Sequence, residues 1–214
     1  KRRSVVILSL ILLAIVIDQI IKIVVKTNMQ LGESIPVFGD WFKILFVEND
    51  GMAFGWELLN KIFLTSFRIV AVAFLGYFLY KLLKNRKYPF GFVLCVAMIL
   101  AGALGNIIDC VFYGVVFNES TYSQIATFMP EGGGYAPWLY GRVVDMFYFP
   151  LIETNWPEWM PFVGGEHFIF FSPIFNFADA AISCGIIALI LFYGKYLSEI
   201  MEPKKKEEIT QEQK

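Results

Sequence analysis

Carboxyl groups inside apolar segments are the features of this sequence best suited to chemistry. Asp179 follows Asn176 by three residues in the apolar run that begins at Pro173, a spacing that puts both side chains on one face of a helix. The same pair of residue types recurs earlier, at Asn106 and Asp109. Because a carboxylate at the centre of a bilayer costs about 2.5–3.5 kcal/mol, an acid kept in such a segment is a candidate functional residue.

Two further acids, Asp18 and Asp145, lie in or beside apolar segments, and a pair of such acids suits peptide hydrolysis. Two carboxyls in a low-dielectric pocket do not both ionise readily, so the pair shares a proton. One member then deprotonates an attacking water, while the other polarises the peptide carbonyl and protonates the leaving nitrogen. His167 is the only histidine, which excludes a multi-histidine zinc site and leaves a Ser-His-Asp triad little room.

The elements that must position these acids are membrane helices. Of the 214 residues, 57% are hydrophobic and 17% are charged, which indicates a membrane all-α protein that crosses the bilayer several times. Ser172 and Pro173 resemble an N-cap and a first helical residue, so the last helix is expected to begin there. By length and hydropathy we predict four transmembrane helices, over residues 5–25, 62–80, 90–110 and 173–197.

The distribution of basic residues predicts how these helices are oriented. Lysines and arginines cluster before the first helix, between the second and third, and after the fourth, so the positive-inside rule places both termini in the cytoplasm. The outer loops are then residues 26–61 and 113–167, which hold all five tryptophans and should lie against membrane lipid. We expect one membrane domain over residues 1–203 and a disordered cytoplasmic tail over residues 204–214.

The outer loops differ in their predicted structure. The β-branched and aromatic run from Asp40 to Val47 predicts a short strand or a small sheet. The glycines at 132–134 and five prolines of the second loop favour irregular structure with short strands at most. From the helical rise, Asp18 lies about 12 Å below the outer end of the first helix, and Asp179 about 10 Å below the start of the fourth. The polar groups therefore converge in the outer leaflet.

Each of these features also has a structural interpretation. An Asn-x-x-Asp pair can be a helix–helix hydrogen-bonding device, and Asp145 alone would more often be a solvated loop acid. Lys22 can simply pair with Asp18 four residues earlier, and Arg68 can reach the membrane surface or pair with an acid. Two other classes stay open at this point, a small proton- or cation-coupled transporter and a non-catalytic lipid or lipoprotein binder. The convergence of several acids in one leaflet favours chemistry.

Five sequence blocks occur in order along the four helices: Asp18–Lys22, Glu48–Phe54, Gly102–Asp109, Gly141–Phe147 and Phe175–Asp179. Together they resemble the lipoprotein signal peptidases, or signal peptidase II, which are aspartyl intramembrane peptidases of bacterial inner membranes. The resemblance covers about residues 5–197, apart from much of the second outer loop. It implies an endopeptidase that cleaves a prolipoprotein just before a diacylglyceryl-modified cysteine, without a metal or cofactor.

The resemblance also implies roles for individual residues. Asp145 and Asp179 correspond to the catalytic pair, and Asp18 corresponds to a supporting acid of the first helix. The implied partners are prolipoproteins and membrane lipid, with no nucleic acid, and we expect a monomer. The family further implies a small extracytoplasmic β-cradle in the first outer loop and a mobile outer segment over the substrate. The remaining positions for substrate binding or support are Lys22, Asn49, Gly51, Asn106, Asp109, Arg142 and Asn176.

The sequence departs from the family pattern in two places. Cys110 stands where the family has an arginine directly after the acid of the Asn-x-x-Asp motif, and either Arg142 or Arg68 is a candidate to replace it. Residues 113–140 and 150–167 look like insertions, because the family has short connections there. The enlarged second outer loop therefore leaves the behaviour of the lid and the substrate preference open.

Overall fold

The computed structural model describes residues 2–50, 59–150, 152–170 and 173–201. Within these ranges four helices are long and apolar enough to cross a membrane, which confirms the predicted four-helix membrane protein. Large apolar side chains such as Phe63, Phe74 and Phe192 are at least 70% exposed, as side chains that face lipid should be. The helices are α1 (Arg2–Asn28), α2 (Leu59–Lys84), α3 (Phe90–Ile108, continued by helical turns to Val116) and α4 (Phe177–Met201).

Short strands form two antiparallel sheets in the same ranges. The larger sheet has the strand order β1-β2-β3-β6, and β4 pairs with β5 in a separate hairpin. The strands are β1 (Ser34–Phe38), β2 (Phe42–Asn49), β3 (Val143–Tyr148), β4 (Ile152–Asn155), β5 (His167–Phe170) and β6 (Ile174–Phe175).

The turn between β1 and β2 determines where the strand predicted in the first outer loop begins. Gly39 adopts a φ of +52°, a left-handed conformation that a side chain disfavours, and Asp40 and Trp41 complete the turn. The strand predicted from Asp40 therefore starts at Phe42. Phe46 of that strand is fully buried, so the sheet has a face that packs against other elements.

The chain divides into two compact units. Among the described residues, the first comprises residues 2–16, 68–105 and 178–201. Its helices approach closely at glycines, since a Cβ atom at Gly102 would lie 2.2 Å from the carbonyl oxygen of Ala178. At Gly185 a Cβ atom would lie 2.8 Å from the carbonyl oxygen of Cys95. Small residues of this kind let α3 and the first half of α4 pack backbone to backbone.

The second unit comprises the described residues within 17–67 and 106–177, and it contains the larger sheet. Its apolar core joins side chains of α1, the end of α3 and the sheet. The fully buried members include Phe46, Phe117, Val144 and Met146. The alternation of strand β3 thus turns Val144 and Met146 into the core, while Asp145 points away from it.

The predicted start of the fourth helix is wrong. Pro173 precedes a short strand, because Ile174 pairs with Tyr148 and Phe175 pairs with Phe147 in the sheet. The helix then begins at Phe177, so Asn176 lies just before it and Asp179 lies in its first turn. Asp179 is therefore nearer the helix start than the predicted 10 Å.

The third helix begins at Phe90 as predicted, and the remaining boundaries shift outwards. Helix α1 continues to Asn28 and α2 spans Leu59–Lys84, because polar residues at their ends extend the helices beyond the apolar stretch. Helical structure after α3 continues through a π-helical turn, Asp109–Tyr113, to Val116. Three predictions, the N-cap at Ser172, the supporting residue Gly51 and the disordered tail over residues 204–214, concern residues outside the described ranges.

Candidate active site

Asp145 lies in the middle of β3 and is almost completely buried. Its Oδ1 atom accepts a 2.7 Å hydrogen bond from the side-chain amide of Asn176. Its Oδ2 atom accepts a 3.3 Å hydrogen bond from the side-chain amide of Asn49 at the end of β2. Both carboxyl oxygens are therefore hydrogen-bonded to amide donors from different elements.

Asn106 links this carboxyl to a second buried cluster. Its side-chain oxygen accepts hydrogen bonds from Asn176 Nδ2 at 3.1 Å and from Lys22 Nζ at 2.8 Å. A continuous path of hydrogen bonds thus runs from Lys22 through Asn106 and Asn176 to Asp145. The path joins α1, the helical segment after residue 105, the residue before α4 and β3.

Lys22 lies at the centre of the second cluster, with no exposed surface. Its ammonium group is 3.0 Å from Asp18 and 2.7 Å from Asp109, and both acids are also buried. The amide of Gln19 donates to each of the same two carboxylates, at 3.1 and 3.0 Å. Tyr113 in turn donates its hydroxyl proton to Gln19 at 3.1 Å. Buried charges are tolerated when they are paired and hydrogen-bonded in this way.

Asp109 also fixes the strand that carries Asp145. Its Oδ2 atom accepts a 3.3 Å hydrogen bond from the backbone N–H of Val144. The backbone N–H of Gly141 donates to the carbonyl oxygen of Cys110 at 2.8 Å, just before the strand. A Cβ atom at Gly141 would lie 2.0 Å from the carbonyl oxygen of Asp109, so glycine is required for this approach. The π-helical turn that begins at Asp109 therefore anchors β3, and such turns are frequent at functional sites.

Asp179, the other predicted catalytic acid, lies in the first turn of α4 and is half-buried. Its helix belongs to the first unit, whereas Asp145 belongs to the second. The close approach of Gly102 to Ala178 fixes the helical turn that carries it. A helix N-terminus favours negative charge through its unpaired N–H groups and its dipole.

A third cluster, centred on Glu48 of β2, was not predicted. The carboxylate of Glu48 pairs with the buried ammonium of Lys26 and accepts a 2.8 Å hydrogen bond from Ser120. Arg142 binds the other oxygen of Glu48 at 3.2 Å and also binds Glu119 at 3.2 Å. Glu48 belongs to a family block, and Lys26 follows Lys22 by one helical turn. These two features are the only indication of the Glu48–Lys26 pair in the sequence, and it is a weak one.

Aromatic rings enclose the cations of this Glu48 cluster. The ring of Tyr135 lies 5.2 Å from the Lys26 ammonium and 5.1 Å from the Arg142 guanidinium. The Tyr135 hydroxyl accepts a 2.7 Å hydrogen bond from the backbone N–H of Arg142, and burial raises the pKa of this phenol. Burial lowers the pKa of the Arg142 guanidinium. Its hydrogen bonds to the carboxylates of Glu48 and Glu119 raise the pKa by more, so the net shift is upward.

One of the two segments predicted as insertions, residues 113–140, contributes to this arrangement. Glu119, Ser120 and Tyr135 all come from residues 113–140, which thereby contact β2 and the start of β3. The guanidinium of Arg142 is directed towards Glu48, Glu119 and Asp50. Cys110, at the position of the family arginine, is buried within the π-helical turn.

Seven of the predicted site residues form one network in the second unit, whereas Arg142 belongs to the Glu48 cluster. Asp18, Lys22, Asn49, Asn106, Asp109, Asp145 and Asn176 are joined by the contacts given above. Residues 2–50, 59–150, 152–170 and 173–201 contain no group of three or more His, Cys, Asp and Glu side chains placed to hold a metal ion. Between Asp18 and Asp109 the cation is the ammonium of Lys22.

Comparison with known proteins identifies the class of molecule. The fold is similar to a solved bacterial membrane enzyme, determined by the in meso method at 1.9 Å resolution, with a TM-score of 0.59. That chain is 24% identical, and the match covers 87% of this chain and 90% of the other. The described residues form four helices able to cross a membrane and a small antiparallel sheet. With a fold of this kind, these elements define an integral membrane protein.

The sequence comparisons then give the family. Residues 10–194 match the model of signal peptidase (SPase) II, so the chain belongs to that family. The lipoprotein signal peptidase of Porphyromonas gingivalis is 54% identical over 200 residues, covering 94% of this chain and 88% of that protein. The lipoprotein signal peptidase of Amoebophilus asiaticus is 35% identical over 205 residues, covering 94% and 81%. The predicted resemblance and the predicted enzyme class, an aspartic endopeptidase of bacterial membranes, are confirmed.

Proposed function

We propose that this peptidase removes the signal peptide of a prolipoprotein just before a diacylglyceryl-modified cysteine, with Asp145 and Asp179 as its catalytic pair. Cleavage of signal peptides in lipoprotein maturation is the activity of its family. The position of the cut and the lipid on the cysteine go beyond that activity and need direct assay. The observation that carries the proposal is the pair of amide donors, Asn49 and Asn176, bound to the two oxygens of Asp145.

The hydrogen bonds of Asp145 suggest how the work is divided between the two acids. A carboxyl group whose two oxygens both accept hydrogen bonds is suited to be the ionised member of a pair. We therefore assign Asp145 as the base that takes a proton from water. Asp179 follows Asn176 by three residues and, as the protonated member, donates a hydrogen bond to the scissile carbonyl oxygen.

The reaction then proceeds in two proton transfers. The water oxygen attacks the carbonyl carbon as its proton passes to Asp145, which gives a tetrahedral intermediate whose oxygen is stabilised by Asp179. Asp179 then transfers its proton to the peptide nitrogen and the carbon–nitrogen bond breaks, which frees the new carboxyl end of the signal peptide and the amino group of the cysteine. The proton held by Asp145 passes to Asp179 and restores the starting pair. Asn106, Asn176 and Asn49 hold the base in place, and Lys22 balances the buried acids Asp18 and Asp109.

The orientation and assembly of the enzyme are part of the proposal. Both termini lie in the cytoplasm, and the acids lie near the outer leaflet of the inner membrane, where the β1-β2 loop forms a cradle against the lipid. The peptidase acts as a monomer without a metal or cofactor, as a single domain over residues 1–203. Gly51 and Arg142 contribute to substrate binding, and residues 113–140 and 150–167 enlarge the outer surface.

Cleavage assays with two variants test the catalytic pair. Asp145→Asn and Asp179→Asn each retain the size of the side chain and remove the carboxyl group that exchanges protons. Each purified variant should lose cleavage of a diacylglyceryl-modified prolipoprotein by at least about 10³-fold, as expected when one acid of a pair is removed. The matched substrate without diacylglyceryl should be cleaved poorly by the unaltered enzyme. Wild-type activity in a folded Asp145→Asn or Asp179→Asn variant would reject the pair.

A further inference from the structure

A groove of about 410 Å³ opens between α1, α2 and α3 in the first unit of the molecule. Buried leucines Leu79 of α2 and Leu100 of α3 line its depth, and the exposed Leu8 of α1 lines one side. The volume falls within the range of about 300–1,000 Å³ that is typical of ligand pockets. Its apolar lining is complementary to a hydrocarbon chain.

The open space in this groove depends on a glycine in the interior of α2. A Cβ atom at Gly76 would meet no atom within 4 Å, whereas one at Gly102 or Gly185 would collide with a neighbouring helix. Glycine within a helix costs about 1 kcal/mol relative to alanine. At Gly76 no helix packing requires so small a residue, and its effect is to leave the groove free for another molecule.

The mouth of the groove is polar and positively charged. Ser4 and Lys84 line it, and the Lys84 ammonium lies 4.5 Å from the ring centre of Tyr80, another lining residue. The Lys84 ammonium at the mouth of this apolar groove is complementary to an anionic headgroup attached to a hydrocarbon chain.

We infer that this groove binds one anionic phospholipid, with an acyl chain along Leu8, Gly76, Leu79 and Leu100 and the headgroup phosphate at Lys84. Basic pockets between transmembrane helices are known to bind anionic headgroups of this kind. All the lining residues belong to the first unit, while the network around Asp145 belongs to the second. Asp179 does not line the groove either, so the groove shares no residue with the proposed peptidase site, and the inference does not rest on the proposed function.

Native mass spectrometry of the full-length protein, released from detergent in the presence of defined lipids, tests the inference. The protein should retain one dioleoylphosphatidylglycerol molecule after excess lipid is stripped, and it should retain dioleoylphosphatidylcholine far less. Gly76→Leu fills the groove and should lower the retained fraction about tenfold or more. Gly194→Leu, where an added Cβ atom also meets nothing within 4 Å, is the matched control and should retain lipid normally.

A charge variant tests the headgroup contact separately. Lys84→Gln should lower retention of phosphatidylglycerol about fivefold, because one lysine near a lipid headgroup has an effect of this size. Lys195→Gln on α4 removes an exposed lysine that does not line the groove and should change little. Unfolding temperatures in detergent identify any variant that fails to fold, and Leu8→Phe then fills the groove from the opposite wall.

Three outcomes would overturn the inference. Equal retention of the two lipids would show that charge does not select the occupant. Normal retention by both folded filling variants, Gly76→Leu and Leu8→Phe, would place the retained lipid elsewhere. Displacement of the lipid by a diacylglyceryl-modified peptide, with a raised KM in Gly76→Leu, would assign the groove to substrate instead.

Discussion

At the residue scale, the amide side chains of Asn49 and Asn176 determine the environment of the Asp145 carboxyl group. Asn176 donates to Asp145 and Asn106 from one nitrogen, so it couples the strand acid to the buried Lys22 cluster. Hydrogen bonds to a charged group contribute about 1.5–3 kcal/mol each, more than bonds between neutral groups. An asparagine at this position therefore has an energetic effect well beyond that of an ordinary helix N-cap.

Replacing Asn176 by alanine removes both of these hydrogen bonds. Since a charge-assisted bond to Asp145 is lost, kcat for cleavage of a lipid-modified prolipoprotein should fall about 10- to 100-fold, with a smaller change in KM. Asn28→Ala is the control, because Asn28 is exposed and its amide binds Val24 O and Thr27. A folded Asn176→Ala variant with unchanged kcat would show that the amide does not support Asp145.

Lys22 is a second residue whose loss has a calculable consequence. Lys22→Met leaves the two buried carboxylates Asp18 and Asp109 without their shared cation, and removing one partner of a buried pair costs about 3–5 kcal/mol. The variant should unfold at a markedly lower temperature in detergent. Adding Asp109→Asn should restore part of the loss, because it removes one of the uncompensated charges. Lys195→Met, at an exposed position, should have little effect.

Equal stability of the Lys22→Met variant and the unaltered protein would contradict this prediction. It would mean that the two acids are neutral in the folded protein. The double variant, Lys22→Met with Asp109→Asn, distinguishes this case, because adding Asp109→Asn would then not raise the unfolding temperature.

At the scale of elements, β3 is held from both sides. Strand β2 pairs with it in antiparallel register, with Glu48 opposite Val144 and Val47 opposite Asp145. On the other side, the π-helical turn after α3 binds the backbone at Val144 and Gly141. The position of Asp145 is thus determined by a strand and a helix end together.

Gly141→Ala tests this anchoring. Because the new methyl group would lie 2.0 Å from the carbonyl oxygen of Asp109, the start of β3 must shift. The free energy of unfolding should fall by about 1–3 kcal/mol, and cleavage per folded molecule should fall about tenfold or more, since small misplacements of catalytic groups are costly. Gly132→Ala is the matched control, because a Cβ there meets nothing within 4 Å. Normal cleavage by folded Gly141→Ala would show that this contact does not position Asp145.

At the scale of the whole molecule, the distribution of charge gives a testable orientation. Reporter fusions should show that the segment containing Gly132 is outside the cytoplasm and that the α2–α3 connection at Arg86 is inside. Alkaline phosphatase needs disulfides that form only outside the cytoplasm. It should therefore be active when fused after Gly132 and inactive after Arg86. A fluorescent protein that folds only in the cytoplasm should give the reverse pattern, and phosphatase activity at Arg86 would refute the proposed topology.

Much of this molecule follows from local sequence. Hydropathy alone located the four helices, because a membrane span needs a long uninterrupted apolar run. The β-branched run before Val47 predicted a strand for the same kind of reason, since side-chain preferences act over a few residues. Sequence blocks within these elements were enough to identify the family, which the comparisons then confirmed.

Other features were decided only by tertiary structure. Residues Ile174 and Phe175 look helical after Pro173, but pairing with β3 makes them a strand and moves the helix start to Phe177. The spacing of Lys22 and Asp18 allows an (i, i+4) ion pair, which is present, but Lys22 also binds Asn106, 84 residues away. The Glu48 cluster joins residues as much as 94 positions apart. Spacing along a helix or strand reveals near neighbours, whereas such partners depend on how the chain folds back on itself.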